Sequence, residues 1–233
     1  MSLRPLPLLL LIAAVGCRKP KPAASAPDAG GVTCPPTETL AAMIREPGRT
    51  LHVGCLAYAP AYFWTAAALS YDAATRGRPR LQLLSGGPGM STSLFEVAPI
   101  PTDSVEELIR GTTDLDVVVR KPHGAQLVRL GVVGRKGVAP RVQSEEIAVL
   151  LRLQAHGPPA IVWVGGGDGV TVNDGCLHER TVEFELPFKT RLEMVSATRS
   201  RPLEGGPCPA PSSMQESLAM KAVSLAKGRT LPR

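Results

Sequence analysis

Five cysteines and four histidines are the residues of this chain best suited to covalent or metal chemistry, and their spacing sorts them. Cys17 stands behind an apolar run. Cys34, Cys55, Cys176 and Cys208 form an even set, which in an oxidising compartment pairs as disulfides. Three connectivities exist. Loop closure favours the local pairs Cys34 with Cys55 and Cys176 with Cys208, each stabilising by roughly 3–4 kcal/mol in the chain-entropy model. The rival is a metal site, since Cys176 and His178 would share one face of a strand, but no C-x-x-C or H-x-x-x-H spacing accompanies them. His52, His123, His156 and His178 are scattered, with no i, i+4 pair, and no pair of carboxylates stands apart from ordinary surface charge. The glycine run GGGDG (165–169) is no P-loop, because no Lys-Ser/Thr follows, and no dinucleotide fingerprint, because VTV rather than a helix comes next. It reads as a strand-to-strand turn. Asp168, Asn173 and Asp174 carry oxygens suited to Ca²⁺ but miss the D-x-[DN]-x-[DN]-G spacing. The sequence therefore assigns no catalytic residue, metal ligand or cofactor, and an enzyme would need a site assembled from distant residues.

One further stretch, LLSGGPGMS (83–91), resembles the H-G-G-P-G strand-loop of proline-iminopeptidase-like α/β-hydrolases, which helps form an oxyanion hole. Here Ser85 replaces the His, and no G-x-S-x-G nucleophile elbow occurs anywhere. An oxyanion hole without a nucleophile has nothing to stabilise, so these glycines read as a turn.

The N-terminal region gives an address. Arg4 and the terminal amine precede the apolar run 8–15, which is too short to cross a bilayer, a task for about 20 apolar residues, but suits a secretory signal. Residues 14–17, AVGC, resemble the lipobox of bacterial lipoproteins. That resemblance implies a signal peptide over 1–16, a diacylglyceryl group on Cys17 and an acylated new N-terminus. Ala14 stands where Leu is commoner in the family, and a plain secretory peptide is the alternative. Two or more acyl chains anchor stably where one does not. Arg18 is not the Asp that holds related lipoproteins in the inner membrane, so the resemblance implies a cell-envelope protein of the outer membrane, with the face open.

Residues 17–33 then read as the lipidated cysteine and a disordered tether, RKPKPAASAPDAGG over 18–31, rich in Pro, Ala, Ser and Gly. The whole chain carries 26 basic and 20 acidic residues, a net +6. Setting aside Arg4, Arg18, Lys19, Lys21 and Asp28 leaves 22 and 19, a net +3. That is not a nucleic-acid-binding signature. The basic tether suits either anionic headgroups, at about 1 kcal/mol per charge, or a solvated spacer.

The elements that must position any site are mostly strands. The expected strands are 49–58, 61–71, 80–84, 95–100, 115–120 and 126–134, the last two as a hairpin. A helix begins near Asp103, with Glu106 completing an approximate capping box, Val105, Leu108 and Ile109 on one face and Gly111 closing it. Residues 145–154 fit helix or strand, with strand favoured because 161–165 can pair back. Strands at 170–172, 180–188 and 191–198 follow. The tail 212–228 reads as a helix, with a capping box from Ser213 to Glu216 and a stripe of Met214, Leu218, Ala222 and Leu225. The uncharged run 53–71 holds Pro60 and has no basic flank, so it reads as two buried strands rather than a membrane span.

The fold class is thus mainly β with a few short helices. Residues 34–154 form one β-rich domain, and 155–233 add an antiparallel segment with a C-terminal helix packed on it. Residues 47–150 resemble the OB-fold in element order, the alternative being a β-sandwich. In the barrel, binding would use the face of the second and third strands, where Tyr62 and Trp64 of the second strand, with Tyr58 beside it, would share one side as a stacking face for glycan. The alternative for these rings, in a chain with few other large side chains, is core. The sequence thus points to a lipid-anchored envelope binding or accessory protein with a protein or glycan partner, or else to a structural envelope lipoprotein. Exposed rings would favour glycan, and an apolar groove or bare sheet edge would favour protein.

Overall fold

Strand sequences of two kinds build the protein. FWTAAALSYD and LVRLGVVGRK are apolar nearly throughout and are buried on both faces, whereas DLDVVVR alternates and is half-buried. The computed structural model describes residues 32–44, 46–58, 63–87, 89–121, 127–139, 141–154, 158–188, 191–203, 205–219, 222–225 and 229–230. The expected signal peptide over 1–16, Cys17 and residues 18–31 of the expected tether lie outside them.

The first layer begins with helix α1 (Thr37–Ile44) and continues as β1 (Arg49–Tyr58), β2 (Phe63–Asp72), β3 (Arg80–Gly86) and β4 (Ser93–Glu96). Together with the short β13 (Arg229–Thr230), these strands make one sheet in the order β1-β2-β3-β4-β13. Helix α2 (Thr102–Gly111) leads to the second layer: β5 (Asp114–Arg120), β6 (Leu127–Lys136), β7 (Gln143–Arg152), β8 (Ala160–Asn173), β9 (Cys176–Phe188), β10 (Arg191–Pro202) and β11 (Ser212–Ala219). These pair in chain order, and β12 (Val223–Ser224) adds to β8. Every ladder among the described residues is antiparallel, between neighbours in sequence or between a terminal strand and the body.

Period-two alternation sorts the cores. Ala67, Leu69 and Tyr71 of β2 and Leu81 and Leu83 of β3 face Val128, Leu130 and Val132 of β6 and Ile147, Val149 and Leu151 of β7, with Val105, Leu108 and Ile109 of α2 closing one end. The opposite face of the first sheet, Trp64, Ala66, Ala68 and Leu84, is covered by Leu40 and Ile44 of α1. The disulfide Cys34–Cys55 ties the chain just before α1 to β1, with Cα atoms 6.1 Å apart. A third cluster joins Leu127, Leu150 and Val162 to Val182 and Phe184 of β9 and Leu192 of β10. The second sheet therefore bends over, and its far strands cover its own outer face.

The protein is mainly β with two short helices among the described residues. The two packed layers are a sandwich. The strands pair as two meanders, and no pairing among the described residues closes residues 47–150 into a Greek-key barrel. The β7–β8 ladder runs straight across the boundary expected at 154/155. Residues 53–58 and 63–71 of the expected run belong to the paired strands β1 and β2, and no helix among the described residues is long and apolar enough to cross a membrane.

The expected C-terminal helix is overturned. Residues 212–219 are strand β11, paired residue by residue with β10 from Arg191↔Ala219 to Thr198↔Ser212. The local helical pattern loses to the ladder and to Leu218, which packs against the third cluster. Leu225 is buried in the main core, and residues 220–221 and 226–228 lie outside the described residues. Helix α2 starts at Thr102 after Pro101 without a side-chain cap. Glu106, the expected capping-box partner, instead accepts the Arg78 backbone N–H at 2.8 Å and pairs with Arg110 at 2.7 Å. GGGDG is not a turn between two strands but the irregular middle of one long strand, β8.

Candidate functional site

The bend in the second sheet creates the most elaborate polar site in the protein. The β8–β9 ladder runs from Asn173↔Cys176 to Gly169↔Arg180 and there ends. Two residues on, the Val182 N–H donates to Asp168 Oδ1 at 2.8 Å, and the Val182 carbonyl accepts from Arg129 Nη1 at 2.7 Å. Side chains thus replace the ladder at the corner, as buried backbone groups require. Arg129 Nε donates to Glu146 Oε1 at 3.1 Å and Nη2 to Glu146 Oε2, and Nη2 lies 3.1 Å from Asp168 Oδ1. Glu146 Oε2 also accepts the Asp168 N–H at 2.9 Å. Arg120 covers the outer side through Asp168 Oδ2, and Arg180 Nε donates to the Gly167 carbonyl at 2.9 Å. The Arg129 guanidinium lies 5.7 Å from the Phe184 ring.

Glycines make the room. A Cβ on Gly131 would lie 2.1 Å from Glu146 Oε1, and one on Gly167 2.6 Å from both Arg129 Nη2 and Glu146 Oε2. Arg129 is 5% exposed and Glu146 1%, so the pair is a core feature. Burial pushes the Asp168 carboxyl up, but the Val182 N–H, Arg129 and Arg120 outweigh it and hold the group below the usual aspartate range. Every oxygen of the cluster meets a guanidinium or an amide N–H, so it shapes the fold rather than offering a group to a substrate. The same holds for Asp168 as a calcium ligand: its oxygens are already engaged by arginines.

An open concavity lies on the other side of β6–β8, under α2. It is a groove of about 760 Å³, within the ~300–1,000 Å³ range of ligand sites. Its floor is apolar, from Ile100, Leu108, Ile147 and Val164. Its rim carries Ser104 and Glu107 of α2 and Lys136, Gln143 and Glu145 of β6 and β7. Alternation explains the rim: Lys136, Gln143 and Glu145 continue the inward-facing rows of β6 and β7 beyond the reach of the first sheet. Among the described residues, the side chains of Glu107, Lys136 and Glu145 form no hydrogen bond or ion pair. That contrasts with Glu46 at the start of the first sheet, which is bound by Arg49 at 3.0 Å, Arg80 at 3.2 Å and Gln82 at 3.3 Å.

The residues singled out in the sequence are not brought together. Cys34 bonds Cys55 and Cys176 bonds Cys208, as expected. Trp64 is 6% exposed and lies over Gly86, where a Cβ would sit 2.7 Å from its ring. It belongs to the core and offers no stacking face. Tyr58 ends β1 opposite Phe63, and Tyr62 falls outside the described residues. Cys17, His123 and His156 do so too. His52 stacks on Tyr71 with ring centroids 5.8 Å apart, and burial lowers its pKa against the pull of Asp116 and Asp114. His178 Nδ1 lies 2.8 Å from Ser200 Oγ across β9 and β10. Neither histidine lines the groove.

Sequence reasoning missed α1, the groove and the corner cluster. One signal for the cluster was available: Arg129 stands in a run otherwise apolar on both faces, LVRLGVVG, and Glu146 falls in the row that Ala148 and Leu150 continue, where a charge has to be paired. No family model, curated protein or solved structure matches this chain.

Proposed function

We propose that this protein is a lipid-anchored accessory protein of the cell envelope that holds an apolar, basic segment of a protein partner in the groove under α2. The observation that carries the reading is the groove itself. Two carboxylates, Glu107 and Glu145, and a single ammonium, Lys136, ring an apolar floor without partners of their own among the described residues. A net-negative groove on a chain of net charge +6 favours a cationic ligand by charge complementarity. The burial of Trp64 removes the main support for glycan stacking and leaves a protein partner as the better reading. The lipobox-like AVGC that ends at Cys17 and two disulfides in the folded part support the envelope address.

Two experiments test the reading. A photo-crosslinker in place of Ser104 on the groove rim captures one protein in intact cells, and mass mapping places the adduct in a segment bearing Lys or Arg beside apolar residues. The combined Glu107→Lys and Glu145→Lys variant abolishes that adduct. The same adduct from exposed Arg199 on β10, or its persistence after charge reversal, sinks the groove reading. For the anchor, Cys17→Ser moves the protein from the membrane to the soluble fraction, and unchanged partitioning refutes lipidation.

A further inference from the structure

We infer that β11 is a self-association edge: two copies of this chain pair their β11 strands antiparallel about a two-fold axis through Gln215, making one continuous sheet. The second sheet ends at β5 and at β11. The β5 edge is closed by β1, since a Cβ on Gly54 would lie 2.0 Å from the Val117 carbonyl oxygen. Among the described residues nothing pairs with the outer side of β11. This strand matches β10 over eight consecutive pairs without a register shift. Its sequence, SSMQESLA, has no Pro, Gly, Lys or Arg, and Glu216 is its lone charge. Protein edges are ordinarily protected by bulges, prolines, lysines or inward charges; β11 has no bulge, proline or lysine, and its one protective feature is Glu216, half-buried on the face it shares with Leu218. Met214 stands 54% exposed on it.

Symmetry then selects the occupant and the register. A two-fold axis that continues an antiparallel sheet runs normal to it and keeps each face on its own side. Opposed residues must therefore have the same parity in the pleat. Setting Glu216 on the axis places two carboxylates directly opposite each other, which is destabilising. Setting Met214 there shortens the overlap to residues 212–216. With Gln215 on the axis, residues 212–218 overlap, Gln215 faces its own copy, Ser213 faces Ser217, and exposed Met214 lies beside the aliphatic stem of Glu216. The strand complements itself without a like-charge contact. β11 contributes no residue to the groove under α2, so the dimer stands or falls independently of that site.

The test is sedimentation of the full chain in mild detergent across the micromolar range. The wild type is expected to reach a dimer mass with rising concentration. Gln215→Lys and Gln215→Glu each place like charges on the axis and should weaken the dimer about tenfold or more, while an equimolar mixture of the two recovers it. A wild-type chain that stays monomeric throughout overturns the inference. So does a Gln215→Lys variant that dimerises as tightly as the wild type, or a mixture no stronger than its components. Gln215 is exposed, and unchanged circular dichroism confirms that the variants keep the fold. The Glu107→Lys and Glu145→Lys changes leave the dimer mass unaltered, which separates failure of the groove reading from failure of this one.

Discussion

Arg129 and Glu146 meet over Gly131, the residue between Arg129 and the partner of Glu146 in the β6–β7 register, and the pair is shut off from solvent. Arg129→Ala leaves Glu146 buried beside a like-charged Asp168, with Arg120 4.0 Å away as the remaining cation, and orphans the Val182 carbonyl. The expected loss is about 3–5 kcal/mol. Glu146→Gln is milder, because Arg129 keeps Asp168 at 3.1 Å. Urea unfolding of the two variants checks the order, and equal losses would show that the pair is not the centre of the cluster.

Acid should loosen the same corner. Asp168 is held below the ordinary aspartate range in the folded protein. Its contribution is therefore complete above about pH 4 and is lost as pH falls through the depressed folded value. Asp168→Asn removes this part of the acid limb. Stability measured from neutral pH down to acid should fall less steeply in the variant than in the wild type.

His52 offers a second titration with the same sign and a different window. Burial lowers its pKa, so the neutral ring is the one the fold favours. The stability it contributes is whole above the usual histidine value of about 6.5 and declines as pH falls through the lowered one. The His52 ring proton shift in NMR, followed against pH, should have its midpoint below that of a free histidine. A midpoint at or above it contradicts the buried placement against Tyr71.

Gly54→Ala is predicted to be more damaging than its size suggests. The new methyl would lie 2.0 Å from a backbone carbonyl of β5, and backbone cannot swing aside as a side chain can. Overpacking of this kind costs typically ~1–3 kcal/mol. Gly48→Ala is no neutral control, since Gly48 has a φ of 75°. Gly111→Ala is one, because a Cβ there meets nothing within 4 Å. Thermal unfolding of the two alanine variants should separate them clearly.

Removing one disulfide at a time tests the sulfur framework. Cys34–Cys55 closes 21 residues and Cys176–Cys208 closes 32, so each is worth about 3–4 kcal/mol in the chain-entropy model. The paired Cys176→Ser, Cys208→Ser variant should lose slightly more than the Cys34→Ser, Cys55→Ser one by urea unfolding.

What the sequence disclosed follows from where the information is local. Strand β1 was expected over 49–58 and found as Arg49–Tyr58, because alternation and the preceding Pro47-Gly48 are both local signals. The buried face of α2, Val105, Leu108 and Ile109, was equally readable. β11 was not. Its capping box and i, i+4 stripe are genuine helix signals, and they yield only because β10 supplies a ladder that the stretch cannot announce by itself. GGGDG misled for a related reason. Glycines mark departures from regular backbone, and here the departure is a bend within β8 that clears space for charges from two other strands. Trp64 points the same way: parity placed it on one side of β2, but only the position of α1 decides that this side is interior.

The corner also sets how this architecture can drift through evolution. Gly131, Glu146, Gly167 and Arg129 occupy one volume, so no one of them can be exchanged freely. A lineage that gave Gly131 a side chain would have to shorten Glu146, and the loss of Glu146 would relax the demand for Arg129 and for Gly167 together. Kinship to this protein is therefore best sought as linked replacement at four scattered sites, a trace that can outlast the fading of overall identity.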